Sequence, residues 1–437
     1  MLTTRTFKQA LTGFRVPTMS VHQFPVIPRV EAIASSIWEK YGKMARENQA
    51  VNLGQGFSDD VIPEVLAKEL RAVAADTSAV YHQYAPGSGH PVLLNVLSKM
   101  YTDYLGWKVE PQQHVLITVG AYLSLYYTIM SWINNGERVI IIEPAYDCYA
   151  TQVKMAGGLP IGVVLEEKIT GGVRTTDKFE LNFDALEAQL KKSPTKALIL
   201  NNPHNPLGKV FSETELLKIA HLAEKYNLLV IADEVYEYQV MDKPMIRFAS
   251  LPNMANRTVT IGSGGKCFSC TGWKLGWVVA PSHLIDPIKK YHAQAVFTCS
   301  APTQAALGNA FEQEYTVIKE KSSKSYLLET MPAELRRKRD KLSKALTEAG
   351  FEVVIPEGGI FVIVDYKSVW NNVDHNNTEK PDEQFARWLT VNKKLAVIPC
   401  TPFYLTEGYG TDYVRFCFNK TDKVLDEAIA ILKTLKK

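Results

Sequence analysis

The chain is poor in the features that mark secreted scaffolds, nucleic-acid binders and membrane proteins. Cysteine is scarce, six in 437 residues at irregular positions, which makes no disulfide framework and points to the reducing interior of a cell. Charge of one sign is absent: 49 Lys and Arg face 46 Asp and Glu, so no basic field calls for a nucleic-acid partner. Long apolar runs are missing too, and a spanning helix needs about twenty mostly apolar residues. The nearest candidate, 115–133, is broken by Gly120 and carries Thr, Ser and Tyr side chains. It reads as strand, turn and helix, with no membrane partner. Neither nucleotide fingerprint is present. A P-loop ending at Lys266 would need glycine where Thr260 stands and Ser or Thr where Cys267 stands; G-x-G-x-x-G would also need glycine at Cys267. Cys267 and Cys270 form one C-x-x-C with no second copy to complete a zinc site. No metal is expected, and the pair reads as small packing side chains.

Acidic residues are also absent from the start of the chain. Residues 1–30 hold Arg5, Lys8, Arg15 and Arg29 and no Asp or Glu before Glu31, with Phe7, Ala10, Leu11 and Phe14 at helical spacing. Two readings stand side by side: a disordered arm, or a segment 1–18 that routes the protein to mitochondria, with Met19 as a second start for a cytoplasmic form.

What the chain does have is alternation. The runs "HVLITV", "RVIIIE", "PIGVVL", "KALILN", "LLVIAD", "RTVTIG" and "LGWVVA" are short, apolar and β-branched, and helix-like segments such as 212–227 separate them. That pattern gives an α/β fold with a mostly parallel sheet. After residue 310, "FEVVIPEGGIFVIVDY", "AVIP" and "YVRFCF" suggest a smaller α+β domain. The expected organisation is an arm over 1–30, a large domain over 61–309 and a small domain from 31–60 and 310–437. The polar stretch 371–383 reads as a surface loop.

Ligands of open parallel sheets gather at the carboxyl edge of the strands. Tyr146 follows "VIIIE", Asn205 follows "ALILN", Asp233 closes "LVIAD" with Tyr236 three residues on, and Lys266 follows "TVTIG". Each alone has an ordinary structural explanation. Together they suit a pyridine aldehyde. A lysine amine condenses with an aldehyde, and a carboxylate keeps the ring nitrogen protonated so that the ring accepts electrons. Tyr and Asn hold a ring oxygen, and an aromatic face stacks on the ring. Ser263 and Lys274, with loop N–H groups, suit a phosphate.

The motifs "NLGQGF", "YHQYAPGSGHP", "VGAYLSL", "EPAYDCY", "NNPHNPLGKVFSETEL", "IADEVYE", "GSGGKCFSCTGWKLGW" and "VRFCFNK" resemble those of the class I, fold-type I pyridoxal-phosphate aminotransferases. The resemblance covers roughly residues 25–435 and is strongest to the kynurenine aminotransferases, also known as glutamine transaminase K or cysteine-S-conjugate β-lyase. It implies pyridoxal 5'-phosphate as cofactor, amino acids and 2-oxo acids as substrates, ping-pong kinetics and a homodimer. It makes Lys266 the Schiff-base lysine and Asp233 the partner of the ring nitrogen. Asn205 and Tyr236 would bind the ring oxygen, and Tyr146 would stack. Ser263, Lys274, Ala121 and Tyr122 would serve the phosphate, with Tyr84 reaching the site across the dimer. Arg415 would grip the substrate carboxylate, with Gly56 offering backbone contacts and Trp38 an aromatic wall. Ala121, Tyr146 and Thr298 depart from residues common in the family, and Thr298 weakens a preference for kynurenine as donor. Two rival readings share these residues: a β-lyase, and a cofactor-binding regulator without turnover.

Overall fold

The structure, a computed structural model, describes residues 26–31, 33, 36–168, 173–374 and 377–435. The basic segment 1–18 and Met19 lie outside them. Up to residue 34 the chain is a separate unit whose described part contains the helical turn Pro28–Glu31.

Within residues 35–437 the main sheet has eight described strands: β1 Val115–Val119, β2 Arg138–Glu143, β3 Leu159–Glu167, β4 Phe179–Leu181, β5 Thr195–Asn201, β6 Leu229–Asp233, β7 Thr258–Ser263 and β8 Leu275–Val279. Their order is β1-β8-β7-β6-β5-β2-β3-β4. Strands β3, β2, β5, β6 and β7 are parallel neighbours. Antiparallel β8 lies between β7 and β1, and antiparallel β4 closes the other edge. Every residue of β2, β6, β7 and β8 is buried, because both faces are covered. Such strands are continuously apolar rather than alternating. All seven strands marked in the sequence are present. The short edge strand β4 was not marked: three residues, "FEL", buried at only its two ends, give too little pattern.

The smaller sheet comes from later residues: β9 Glu352–Val354, β10 Phe361–Asp365, β11 Ile398–Pro399 and β12 Tyr413–Cys417, all antiparallel in the order β9-β10-β12-β11. Val51–Asn52 pairs in parallel with Leu395–Ala396, so "AVIP" divides between two sheets. The polar stretch 371–383 is not loop throughout. Helix Pro381–Lys393 begins inside it, with proline in its first turn and Asp382 and Glu383 beside it, which suits a helix N-terminus. Helix Glu213–Lys225 starts in a capping box: Ser212 Oγ accepts from Glu215 N at 3.3 Å, and Glu215 Oε2 accepts from Ser212 N at 2.9 Å. Among the described residues no helix is long and apolar enough to cross a membrane.

Topology then builds the site. Register places Asn201 opposite Asp233 and Asp233 opposite Ile261, so β5, β6 and β7 finish side by side at one sheet edge. At the end of β1 the chain turns at Gly120, φ 76°, into helix Ala121–Trp132. A positive φ of this size costs glycine nothing and other residues something.

Candidate active site

A cavity of about 350 Å³ opens at this edge. All but one of the residues that the resemblance assigns to cofactor or substrate line it: Lys266, Asp233, Tyr236, Asn205, Tyr146 and Trp38, together with Ala121, Tyr122, Ser263, Lys274, Gly56 and Arg415. The exception is Tyr84, which is 81% exposed and stands edge-on to Phe297 at 5.3 Å. It does not line the cavity, and neither does Thr298.

Lys266 sits one short turn beyond β7. Its Nζ donates to Gly56 O at 2.9 Å and lies 5.4 Å from the centre of the Tyr236 ring. The side chain keeps some surface open to the cavity, yet protein atoms pack closely round the amine. Burial lowers its pKa to about 8; Arg415 and Lys274 push the same way, while Cys417 and Asp233 oppose. An amine of that pKa is partly neutral near physiological pH, as a nucleophile or proton carrier must be. Gln239 Nε2 donates to Lys266 O at 2.6 Å and fixes the backbone below it.

Asp233 ends β6 with 3% of its surface exposed. Burial pushes its pKa up to about 6, against the opposing pull of Tyr149, Val235 N–H and Lys266. Tyr149 Oη donates to Asp233 Oδ2 at 2.5 Å; the Val235 N–H reaches Oδ1 only at 3.4 Å. Around it the backbone is tied down, since Asn201 Nδ2 donates to Asp233 O at 2.9 Å and Asn205 N donates to Asn201 Oδ1 at 2.7 Å.

Arg415 lies mid-strand in β12, facing Ile363 of β10 on one side and Ile398 of β11 on the other. It is 1% exposed. Nη1 donates to Asn205 Oδ1 and Nη2 to Gly54 O, both at 2.9 Å, and the buried Nε has no acceptor among the described residues. The guanidinium stacks 3.7 Å from the Phe361 ring centre and 5.0 Å from that of Trp38. None of the described carboxylates pairs with it, and burial lowers its pKa. A desolvated cation held by neutral acceptors is a strong receptor for a carboxylate. Trp38 is set by a bond from Nε1 to Asp147 Oδ1 at 3.1 Å.

The opposite end of the cavity suits an anion. The N–H groups of Ala121 and Tyr122 open the twelve-residue helix 121–132, and first-turn donors have no acceptor within their own helix. Lys274 joins them: a Cβ added to Gly120 would lie 3.3 Å from its Nζ. Among the described residues Lys274 has no carboxylate partner, although a lone cation at a helix N-terminus is unfavourable. An anion bound there satisfies both. Gly276 lets the two elements meet, for a Cβ at that position would fall 2.3 Å from Ala121 N. Ser263 completes this end.

Cys267 and Cys270 are free and buried. Burial raises both thiols, Cys270 to about 12, and Cys270 Sγ donates to Gly264 O at 3.6 Å. Among the described residues no group of three or more His, Cys, Asp and Glu is placed to hold a metal ion.

Sequence reasoning missed Tyr149, Phe361, Gln239 and Asp147. All four depend on long-range pairing and left no local signal.

The donor set fits pyridoxal phosphate: an anion cradle, a carboxylate on the cavity wall, an amine of lowered pKa and flanking aromatic rings. Residues 48–432 match the family model for aminotransferase class I and II. Kynurenine–oxoglutarate transaminase 3 of Homo sapiens is 40% identical over 428 residues, 97% of this chain and 93% of that one. Kynurenine–oxoglutarate transaminase 1 of Homo sapiens is 37% identical over 405 residues, 91% and 95% of the two chains. The solved structure of N-succinyldiaminopimelate aminotransferase from Mycobacterium tuberculosis is 33% identical and superposes with a TM-score of 0.83, covering 94% of this chain and 100% of that one. The chain belongs to the class I and II aminotransferases, with their fold-type I architecture, and is an enzyme that passes an amino group from an amino acid to a 2-oxo acid.

Proposed function

We propose that this enzyme uses pyridoxal 5'-phosphate and takes its amino group from kynurenine, glutamine, or an aromatic or sulfur-containing amino acid. The observation that carries the reading is the set of three cations in one cavity, Lys274, Lys266 and Arg415, none paired with a carboxylate among the described residues. Each has one task. Lys274, Ser263 and the first N–H groups of helix 121–132 hold the phosphate. Arg415 forks onto the substrate α-carboxylate through its two terminal nitrogens. Lys266 Nζ takes and returns the proton at the substrate Cα, and its lowered pKa leaves a share of the amine neutral for that work. Asp233 supports positive charge at a ring nitrogen, Tyr236 and Asn205 hold the ring oxygen, and Tyr146 covers the ring face.

Pyridoxal phosphate, when bound, supplies an aldehyde for amine exchange and a ring that withdraws electron density from Cα. The α-carboxylate fork and the Lys266 amine serve donor and acceptor alike, so one site works on both substrates in turn and the kinetics are ping-pong. Trp38, Tyr146 and Phe361 give the substrate end aromatic walls, which favours aromatic and long apolar side chains. The similarity to kynurenine–oxoglutarate transaminases supports the same donor class.

The protein acts as a homodimer in this reading, with exposed Tyr84 entering the partner's cavity. The large sheet belongs to domain 61–309, and the small sheet to the domain built from 31–60 and 310–437. The protein is cytoplasmic, and residues 1–18 direct a mitochondrial form. Tagged chains starting at Met1 and at Met19 would then distribute differently. The test of substrate class is a screen of purified, cofactor-loaded protein against single amino acids, following loss of the visible absorption of the cofactor. Aromatic and sulfur amino acids and glutamine should bleach it fastest. Bleaching by aspartate alone would contradict the assignment.

A further inference from the structure

Tyr149 lines the cavity, yet it has no part in the contacts assigned to cofactor or substrate. It is 2% exposed, and its Oη donates to Asp233 Oδ2 at 2.5 Å. The ring stands edge-on to Tyr146 at 5.9 Å, and Tyr149 N donates to Tyr146 O at 3.1 Å. One turn of chain at the start of helix Cys148–Met155 therefore presents both the ring that covers the cofactor and the hydroxyl that holds the acid.

Apart from Tyr149, the Asp233 carboxylate has among the described residues only the long bond from Val235 N, at 3.4 Å. An almost fully buried carboxylate with so few donors tends to hold a proton, and a protonated acid gives a ring nitrogen no counter-charge. The other titratable groups around it are Lys266, Cys148, Tyr236 and Glu234. Lys266 is the one basic group among these, and its amine is engaged by Gly56 O.

We infer that Tyr149 is a positioning residue: its hydroxyl fixes the Asp233 carboxylate and keeps it ionised, so that a cofactor with a protonated ring nitrogen binds in preference to one without. The inference rests on the reading that Asp233 faces that nitrogen. A charge-assisted bond donated to a carboxylate favours the ionised form, so its loss raises the pH at which the acid discharges.

The test compares dissociation constants of the full-length protein for pyridoxal phosphate and for 1-deazapyridoxal phosphate, which has C–H in place of the ring nitrogen. Wild type should prefer the natural cofactor. Tyr149→Phe should shrink that preference about tenfold or more, the worth of a hydrogen bond to a charged group, with affinity for the deaza compound unchanged. Binding of the deaza compound also reports that the variant is folded. On acidification the preference should be lost at higher pH in Tyr149→Phe than in wild type. Asp233→Asn should abolish it, and adding Tyr149→Phe should then change nothing further. Equal weakening of both ligands, or an undiminished preference in Tyr149→Phe, would overturn the inference while leaving the role of Asp233 standing. Absence of any preference in wild type would overturn both.

Discussion

Arg415 Nη1 donates to Asn205 Oδ1 at 2.9 Å, so the cation expected to hold a carboxylate is held meanwhile by an amide. In the proposed function Asn205 would thus link the end of the cavity assigned to the substrate carboxylate to the side assigned to the ring oxygen. The pairing is neutral, so an incoming carboxylate gains a charge-assisted bond without displacing an acid from the guanidinium.

The first prediction follows from that pair. Arg415→Gln should lower kcat/KM for amino donors and 2-oxo acids by roughly a hundredfold or more, because a desolvated fork is lost. Affinity for pyridoxal phosphate should stay as in wild type, since the cradle at Lys274 and Ser263 is untouched. Steady-state kinetics with a cofactor titration separates the two. An unchanged kcat/KM would remove Arg415 from the site.

Asp233 should cost the cofactor-free fold stability at neutral pH. Its folded pKa, about 6, lies above the usual 3.8, so the folded form holds the proton more tightly than the unfolded chain. That contribution is full below about pH 4 and is lost as pH rises through 6. Asp233→Asn should therefore be more stable than wild type at pH 7.5, by about 2–3 kcal/mol, and the gap should close near pH 4. Urea unfolding at the two pH values measures it. A variant less stable than wild type at both would contradict the sign.

Lys266 should react as an unusually acidic ammonium. In cofactor-free protein its acetylation rate, followed by peptide mass spectrometry, should rise with pH through a midpoint near 8 rather than the ordinary 10.5. A midpoint above 10 would mean that the cavity does not desolvate it.

Gly276→Ala should damage the anion cradle from a distance. The added methyl would meet Ala121 N at 2.3 Å, a backbone clash that overpacking data put at about 1–3 kcal/mol. Helix 121–132 must shift, so the melting temperature should fall and the dissociation constant for pyridoxal phosphate should rise. Normal values of both would show that the strand and helix approach each other less closely.

The parts of this site that were legible in the sequence share a physical origin. Lys266, Asn205 and Tyr146 follow an apolar strand and Asp233 closes one, and parallel topology brings such ends to one edge. Arg415 was legible only through family resemblance, because nothing local in "YVRFCF" shows that β10 and β11 flank it and set Phe361 beneath its guanidinium. Tyr149 was passed over as one tyrosine among twenty; its partner lies 84 residues away, a distance that no local period encodes. Tyr84 came only from the family resemblance, and it is exposed outside the cavity lining.

The central claim is that Lys266 is the amine that joins the cofactor and moves the Cα proton. Borohydride reduction of the holoenzyme followed by peptide mapping tests it directly. Wild type should carry the reduced cofactor on Lys266. Lys266→Ala should still bind pyridoxal phosphate through Ser263, Lys274 and Asp233, carry no covalent cofactor after reduction, and turn over at least about 10²–10⁴-fold more slowly, the usual loss when a general base is removed. Cofactor fixed to any other lysine in wild type, or near-normal turnover in Lys266→Ala, would contradict the account.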